Sequence, residues 1–248
     1  MYYFKNIHCY PDMIAFIEQE FVNYTNYIGE SKKYKIDFCC WWEISIEEAC
    51  KNQNIDLNSL LSELNNISNN KKEETLYDYL ELDKLADYIV NNHHSYVRKN
   101  LPIIEPYLDK IVEVHSENHP EIFEVQKNFR AVRDELLSHI QKEENVLFPF
   151  IKKMVEAKNT KSALEKPPFG TIKNPITQME AEHDNAWDAF KNIRNVTNDL
   201  TPPQDACNTY KLTFELLAEF EEDLHKHIHL ENNILFPKAI ILEEELIK

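Results

Sequence analysis

The sequence predicts an all-α protein: a four-helix up-down bundle with a small N-terminal helical domain. The chain has 248 residues, 43% of them hydrophobic, which is enough to build a sizeable core. It contains only 2 glycines against 11 prolines, whereas glycine makes up roughly 7% of average proteins. Sheets with tight turns and phosphate-binding loops both use glycine freely, so this composition argues against them. The sequence contains no G-x-G or G-K-[ST] motif, which excludes a Rossmann fold or a P-loop. Four long segments after Leu76 instead carry helical periodicity.

A polar stretch precedes the four segments. Residues 65–75, NNISNNKKEET, contain a single apolar residue and predict a linker. We therefore expect a small helical domain in residues 1–70 and a bundle in residues 71–248. Two further polar breaks, at residues 157–174 and 198–206, predict loops inside the bundle.

Capping signals predict the helices of the first domain. Ser45 and Glu48 form a capping box, which indicates a helix that begins there. Asp56 is predicted to cap a second helix that runs to Leu64.

The apolar residues of the bundle recur at spacings of three and four, as in the seam between antiparallel helices. These stripes are Phe129, Val132, Leu136, His139, Glu143, Val146 and Phe150 in the second segment; Ile176, Met179, His183, Ala186, Phe190 and Ile193 in the third; and Leu217, Phe220, Leu224, His227, Glu231 and Ile234 in the fourth. The first segment, about residues 76–100, allows two phases. One phase groups Leu82, Ala86, Ile89 and Tyr96 with His93, and the other groups Val90, Val97 and Leu101 with His94.

Several polar residues occupy stripe positions that should be buried. His139 and Glu143 are four residues apart, as are His227 and Glu231, and His183 lies on the third stripe. A buried ionised carboxylate is costly unless a charge or a metal compensates it. Two such pairs, with one histidine from each remaining helix, predict a common site at mid-bundle.

Four imidazoles and two carboxylates suit a pair of iron ions. If each carboxylate bridges the metals, each iron has two histidine nitrogens, two carboxylate oxygens and a shared oxo or hydroxo bridge, which leaves a sixth position for a small molecule. Ferritin-like E-x-x-H pairs also occur, at Glu180/His183 and Glu222/His225. However, Glu222 and His225 lie beside the fourth stripe, so the periodicity favours the H-x-x-x-E arrangement.

An internal repeat supports this arrangement. Residues 138–150 and 226–238 match at H-I-x-x-E-x-N-[VI]-L-F-P. Similarity of this kind suggests two helical hairpins placed around an approximate twofold axis.

Charge and composition restrict the partners. The 27 Lys and Arg against 43 Asp and Glu give a formal net charge of −16, which argues against nucleic acid or an anionic membrane as the main partner. The chain has no 18-residue apolar stretch, and its start lacks the pattern of a secretory signal. With five cysteines, an odd number, we expect a reducing compartment, the cytoplasm.

Cys39 and Cys40 are adjacent. They could form a reversible redox pair, donate thiolate, or serve as two small apolar residues before a helix. Cys50 and Cys207 are predicted to lie in the core. The histidines of KIVEVHSENHPE, numbers 115 and 119, are predicted surface or turn residues.

These motifs resemble those of a known family. The run IDFCC…SIEEAC…IDLNSLLSEL resembles the N-terminal domain of the iron–sulfur cluster repair di-iron proteins, the YtfE/ScdA family. The second domain resembles that family's hemerythrin-like bundle through HHSYVRKNLP, ELLSHIQKEENVLFP, PITQMEAEHDNAW and DLHKHIHLENNILFP. The resemblance extends from about residue 34 to 240. Where the family reads FCCGG, this chain has Trp41 and Trp42, which do not allow the backbone shapes that glycine does.

The resemblance implies a ligand set for two non-haem iron ions: His94, His139, Glu143, His183, His227 and Glu231. It thereby selects His94 over His93 in the first helix. It implies repair or protection of iron–sulfur clusters damaged by nitric oxide or oxidants, with iron–sulfur proteins as clients. The site would bind or reduce NO, or supply iron. The alternative is a hemerythrin-like protein that carries or senses O2 or NO without turnover. The chain could also assemble as a homodimer.

Overall fold

The computed structural model describes residues 50–51, 56–57, 59, 77 and 80–247. Contacts divide the chain into two compact units, Met1–Tyr79 and Leu80–Lys248. In the first unit the Asp56 carboxylate accepts hydrogen bonds from the backbone N–H and the hydroxyl of Ser59, at 3.2 and 2.8 Å. This is the capping interaction that the sequence predicted for Asp56. The predicted boundary at residues 70 and 71 stays a prediction.

All the secondary-structure elements described in the second unit are helices, which confirms the predicted all-α bundle. Its α-helices are α1 (Leu82–Ile89), α2 (Ser95–His115), α3 (Glu121–Lys142), α4 (Phe148–Thr160), α5 (Lys173–Val196), α6 (Asn208–His229) and α7 (Phe236–Ile247). Three π-helical segments, Val90–His94, Glu143–Leu147 and Leu230–Leu235, join α1 to α2, α3 to α4 and α6 to α7. The result is four long helices, of which the third is α5 alone. No helix in the described part of the chain combines the length and apolar composition that crossing a bilayer requires.

The four long helices pack around one apolar core. Helix α3 lies against α2 and α5, and α6 lies against α2. Within this core, the rings of Phe129 and Phe190 pack against Phe220, with centroids 5.5 and 6.1 Å away. The loop predicted at residues 157–174 is shorter than expected, because α4 continues to Thr160 before Lys161, with φ of 54°, ends it.

The π-helical segments have a visible cause in two of the three cases. Pro149 and Pro237 each occupy the second position of the α-helix that follows a π segment. Proline has no N–H to donate, and its ring clashes with the carbonyl four residues earlier, so the turn before it widens. The extra residue in the wider turn rotates the residues after it about the helix axis, relative to the face that a regular α-helix would present to the core. Val146, predicted to be buried, is therefore 45% exposed, and Leu147 takes its place in the core.

The first π segment explains the two phases of the first long helix. The phase of Leu82, Ala86 and Ile89 describes the buried face before the segment, and that of Val97 and Leu101 describes it afterwards. Because the face shifts by one residue between them, the two adjacent histidines of the segment, numbers 93 and 94, are both buried.

A buried carboxylate fixes the start of the third long helix. Glu243 of α7 accepts hydrogen bonds from the backbone N–H of Ile172 at 2.9 Å and from the hydroxyl of Thr171 at 2.5 Å.

Replacing Glu243 with Ala should lower the free energy of unfolding by about 1–3 kcal/mol, because a buried N–H loses its acceptor. Thermal unfolding of the metal-free chain measures the change. The matched control is Glu244→Ala, at an exposed carboxylate beside Lys173, which should change stability by less than about 0.5 kcal/mol. Equal effects would contradict the capping role.

Candidate metal centre

Six side chains from all four long helices meet at mid-bundle, and each is at most 2% exposed. They are His94, His139, Glu143, His183, His227 and Glu231. His94 ends the first π segment and Glu143 begins the second, while Glu231 lies in the third. The wider turns therefore occur where ligand-type side chains point inward, as π segments often do at functional sites.

The first of two groups consists of His94, Glu143, His227 and Glu231, whose ligand-type atoms all lie within 4.8 Å of one another. Nε2 of His227 is 2.9 Å from Oε1 of Glu231, and Nε2 of His94 is 3.2 Å from Oε2 of Glu143. Nε2 of His94 is also 4.0 Å from Oε1 of Glu231. Two imidazoles and two carboxylates thus surround one point.

The second group consists of His139, His183 and Glu231. The Nε2 atoms of His139 and His183 are 3.1 Å apart, and Nε2 of His183 is 3.1 Å from Oε2 of Glu231. Oε2 of Glu143 lies 3.3 Å from Nε2 of His139. Each carboxylate therefore contacts imidazoles of both groups, as a ligand bridging two metals would.

The donor atoms fit metal ions rather than one another. Imidazole nitrogens bind transition metals at about 2.0–2.1 Å, so two of them at right angles on one ion lie roughly 3 Å apart, as those of His139 and His183 do. Nε2 of His94, both carboxylate oxygens of Glu143 and Oε2 of Glu231 are buried without a well-aligned hydrogen bond. Leaving such atoms unsatisfied costs about 1–3 kcal/mol each. A bound cation removes that cost.

Electrostatics in the metal-free site keep the carboxylates ionised. Burial alone would raise the pKa of Glu143 and Glu231, but the neighbouring imidazoles outweigh it and lower both. Burial would likewise lower the pKa of His139, yet the carboxylates of Glu143, Glu182 and Glu231 raise it to about 10. The pKa of His227 is raised in the same way, chiefly by Glu231. In the metal-free site, His139 and His227 therefore stay protonated to a higher pH than free imidazoles do, because they face ionised carboxylates.

A second layer of side chains orients the imidazoles. Nδ1 of His94 donates to Glu144 at 2.8 Å and Nδ1 of His139 donates to Glu182 at 3.0 Å. Nδ1 of His183 lies 2.9 Å from Oδ1 of Asn232. In each case Nδ1 carries the proton toward the acceptor, which directs Nε2 at the centre.

Sequence reasoning missed this second layer, although its positions follow a pattern. The residue after each carboxylate of the internal repeat, Glu144 or Asn232, holds the imidazole of another helix, and Glu182 directly precedes His183. A polar residue directly next to a predicted ligand in the sequence could therefore have been recognised as a member of this second layer. Arg98 binds Glu144 at 2.9 Å and Lys142 contacts Glu182, which supports these acceptors in turn.

The structure separates the six residues from the ferritin-like alternative. Glu222 is exposed and pairs with Lys226 at 3.1 Å, so it lies outside the buried cluster. Glu180 is partly buried, and burial together with the charge of Asp184 raises its pKa. The groups that could hold a metal in the described part of the chain include neither Glu180 nor Glu222.

Two cysteine predictions have different outcomes. Cys50 is buried, as expected, but Cys207 is exposed, and the prediction that it lies in the core is wrong. It occupies the position before the first turn of α6, where its backbone is extended and not yet helical, and its Sγ lies 3.2 Å from Nε2 of His115. Cys39 and Cys40 lie outside the described residues.

Comparison with known proteins agrees with this geometry. Residues 85–239 match the hemerythrin HHE cation binding domain, and residues 31–68 match the ScdA_N domain, a domain of unknown function. The chain is 31% identical over 207 residues to the iron–sulfur cluster repair protein ScdA of Staphylococcus haemolyticus, which covers 84% of this chain and 89% of that protein.

Relatives from other bacteria are equally similar. A probable iron–sulfur cluster repair protein of Haemophilus influenzae and the iron–sulfur cluster repair protein YtfE of an Enterobacter species are each 31% identical, over 84% of this chain and 89% of their own lengths. The chain therefore belongs to the hemerythrin HHE family, in the branch of the iron–sulfur cluster repair proteins ScdA and YtfE.

Proposed function

We propose that this chain holds two non-haem iron ions at mid-bundle and uses them to repair or protect iron–sulfur clusters damaged by nitric oxide or oxidants. The observation that carries the proposal is the pair of buried carboxylates, Glu143 and Glu231, each of which contacts imidazoles of both donor groups. A single metal would need only one such group. Two carboxylates shared between two groups support two metals held side by side.

The residues divide naturally between the two positions. His94 and His227 would hold one iron, His139 and His183 the other, and both carboxylates would bridge them. Iron in this donor set supplies reversible one-electron chemistry and an open position for a small ligand such as NO or O2.

The protein environment keeps the centre dry. The ring of Phe148 stacks on His94 at 5.7 Å and that of Phe236 stacks on His183 at 6.3 Å. Both phenylalanines come from the Leu-Phe-Pro repeat that also widens the preceding turn. These two side chains cover the site on the side of α4 and α7 and limit the access of water to the ligands.

The names of the relatives support the repair role and suggest iron–sulfur proteins as clients. We place the chain in the cytoplasm, because its odd number of cysteines suits a reducing compartment. The redox or thiol role of Cys39 and Cys40 belongs to the same proposal, since the ScdA_N match includes both residues.

Removing a bridging carboxylate tests the proposal directly. Glu143→Ala and Glu231→Ala should each reduce bound iron from two per chain to below about one, because each side chain contacts both donor groups. Loss of iron should be accompanied by loss of the ability to reactivate an oxidant-damaged iron–sulfur enzyme. Elemental analysis and the reactivation rate are the measurements.

The matched control for these variants is Glu222→Ala, at an exposed carboxylate on the same helix as His227. It should retain both iron and reactivation. Equal iron loss from Glu222→Ala would favour the ferritin-like arrangement. Full reactivation by iron-free Glu143→Ala would contradict the role of the metal centre in repair.

Metal binding should release protons. Near neutral pH, His139 is protonated in the metal-free chain because its pKa is raised to about 10, and a metal can bind its Nε2 only after that proton leaves. Affinity should therefore rise with pH between about pH 6 and 8, with release of at least about one proton per chain. Titration calorimetry with Co²⁺ in buffers of different ionisation enthalpy measures the number. Binding without proton release would contradict this account of the site.

A further inference from the structure

The four imidazoles of the metal centre are not equally supported. Three of them direct Nδ1 at an acceptor: His94 at Glu144, His139 at Glu182 and His183 at Asn232. Nδ1 of His227 is buried and has no hydrogen-bond partner among the described residues. His227 is thus the one imidazole of the four whose Nδ1 has no acceptor, and its ring is held by packing and by the 2.9 Å contact of Nε2 with Glu231.

The neighbour of His227 explains the difference. The ring of His93 stacks on that of His227, with centroids 5.8 Å apart and planes at 8°. No hydrogen bond joins the two rings, because Nδ1 of His227 has no partner among the described residues. Nδ1 of His93 instead faces Asp223 at 3.0 Å. His93 therefore packs against the ligand without accepting its proton.

The internal repeat shows what stands at the equivalent position in the other half. His139 and His227 match in the repeat. Glu182 and His93 lie outside the repeat, but they correspond in position, because each directly precedes a histidine of the metal centre, His183 and His94. Glu182 supports His139, whereas His93 offers His227 no acceptor. The other contacts are paired: Phe148 stacks on His94 as Phe236 stacks on His183. The halves differ in the kind of acceptor for His94 and His183, which is a carboxylate in Glu144 and an amide in Asn232, but an acceptor is absent only at His227.

We propose that the metal held by His94 and His227 is bound more weakly than the one held by His139 and His183, and leaves the protein first. This inference rests on the two-metal site of the proposed function. Loss of an acceptor on the far nitrogen of a histidine ligand typically reduces metal affinity about 10- to 100-fold. A site that supplies iron for cluster repair then releases one ion readily and retains the other, because the retained pair has acceptors on both imidazoles.

Release of Fe²⁺ to a chromophoric ferrous chelator measures the difference. The full chain, loaded with Fe²⁺ without oxygen, should lose its iron in two phases of equal amplitude, with rate constants at least about tenfold apart. Glu182→Gln removes the charged acceptor of His139 and should accelerate the slow phase about tenfold or more, while the fast phase keeps its rate.

The complementary variant supplies the missing acceptor. His93→Glu, combined with Asp223→Asn to remove a repelling carboxylate, places a carboxylate directly before His94, as Glu182 stands directly before His183, and it should slow the fast phase about tenfold. The matched control is Asn92→Glu, which adds the same charge at the adjacent exposed residue. It should leave both phases unchanged.

The outcomes separate this inference from the proposed function. Fewer than two irons at saturation would overturn both. Two irons that leave in a single phase, with no response to Glu182→Gln, would overturn the inference and leave the two-metal site standing. Acceleration of the fast phase by Glu182→Gln would also overturn it, since it would assign the weakly held metal to His139. If the double variant does not fold, as judged by circular dichroism, Glu182→Gln decides alone.

Discussion

Two ionised carboxylates at the centre of an apolar bundle, Glu143 and Glu231, are the constraint on which the rest of the structure depends. Taking one such charge out of water costs several kcal/mol even after the protein relaxes. Four imidazoles offset that cost, and the shifted pKa values of His139 and His227 record the compensation. The charged pairs Glu144–Arg98 and Glu182–Lys142 in the next layer orient two of these imidazoles, those of His94 and His139. The need to satisfy two buried charges thus explains polar residues on several helices.

The backbone is adapted to the same constraint. A regular α-helix repeats every 3.6 residues, so it presents one fixed face to the core. The π-helical segments insert one extra residue at the level of the site and rotate that face. In the second and fourth long helices the widening precedes a proline of the Leu-Phe-Pro repeat. The phenylalanine of the same repeat packs on an imidazole, so one tripeptide both shapes the turn and covers the site.

The fold and five of the six central residues follow from period and spacing, whereas His94 was selected only through the resemblance to a known family. The stripe of the third segment, from Ile176 to Ile193, is buried as predicted, since α5 contains no π segment. Val146 was assigned to the wrong face because a constant period cannot represent an inserted residue. The same insertion explains why periodicity alone could not choose between His93 and His94: both are buried. Glu182 and Asn232 were missed because their partners lie on other helices, a relation that the order of residues does not contain.

The central claim is that these six residues hold two metal ions that share both carboxylates. Anomalous diffraction at the iron absorption edge, from crystals of the iron-loaded chain, tests it most directly. We expect two anomalous peaks in the bundle, one beside His94 and His227 and the other beside His139 and His183, with Glu143 and Glu231 in contact with both. A single peak, or a peak away from these carboxylates, would contradict the account.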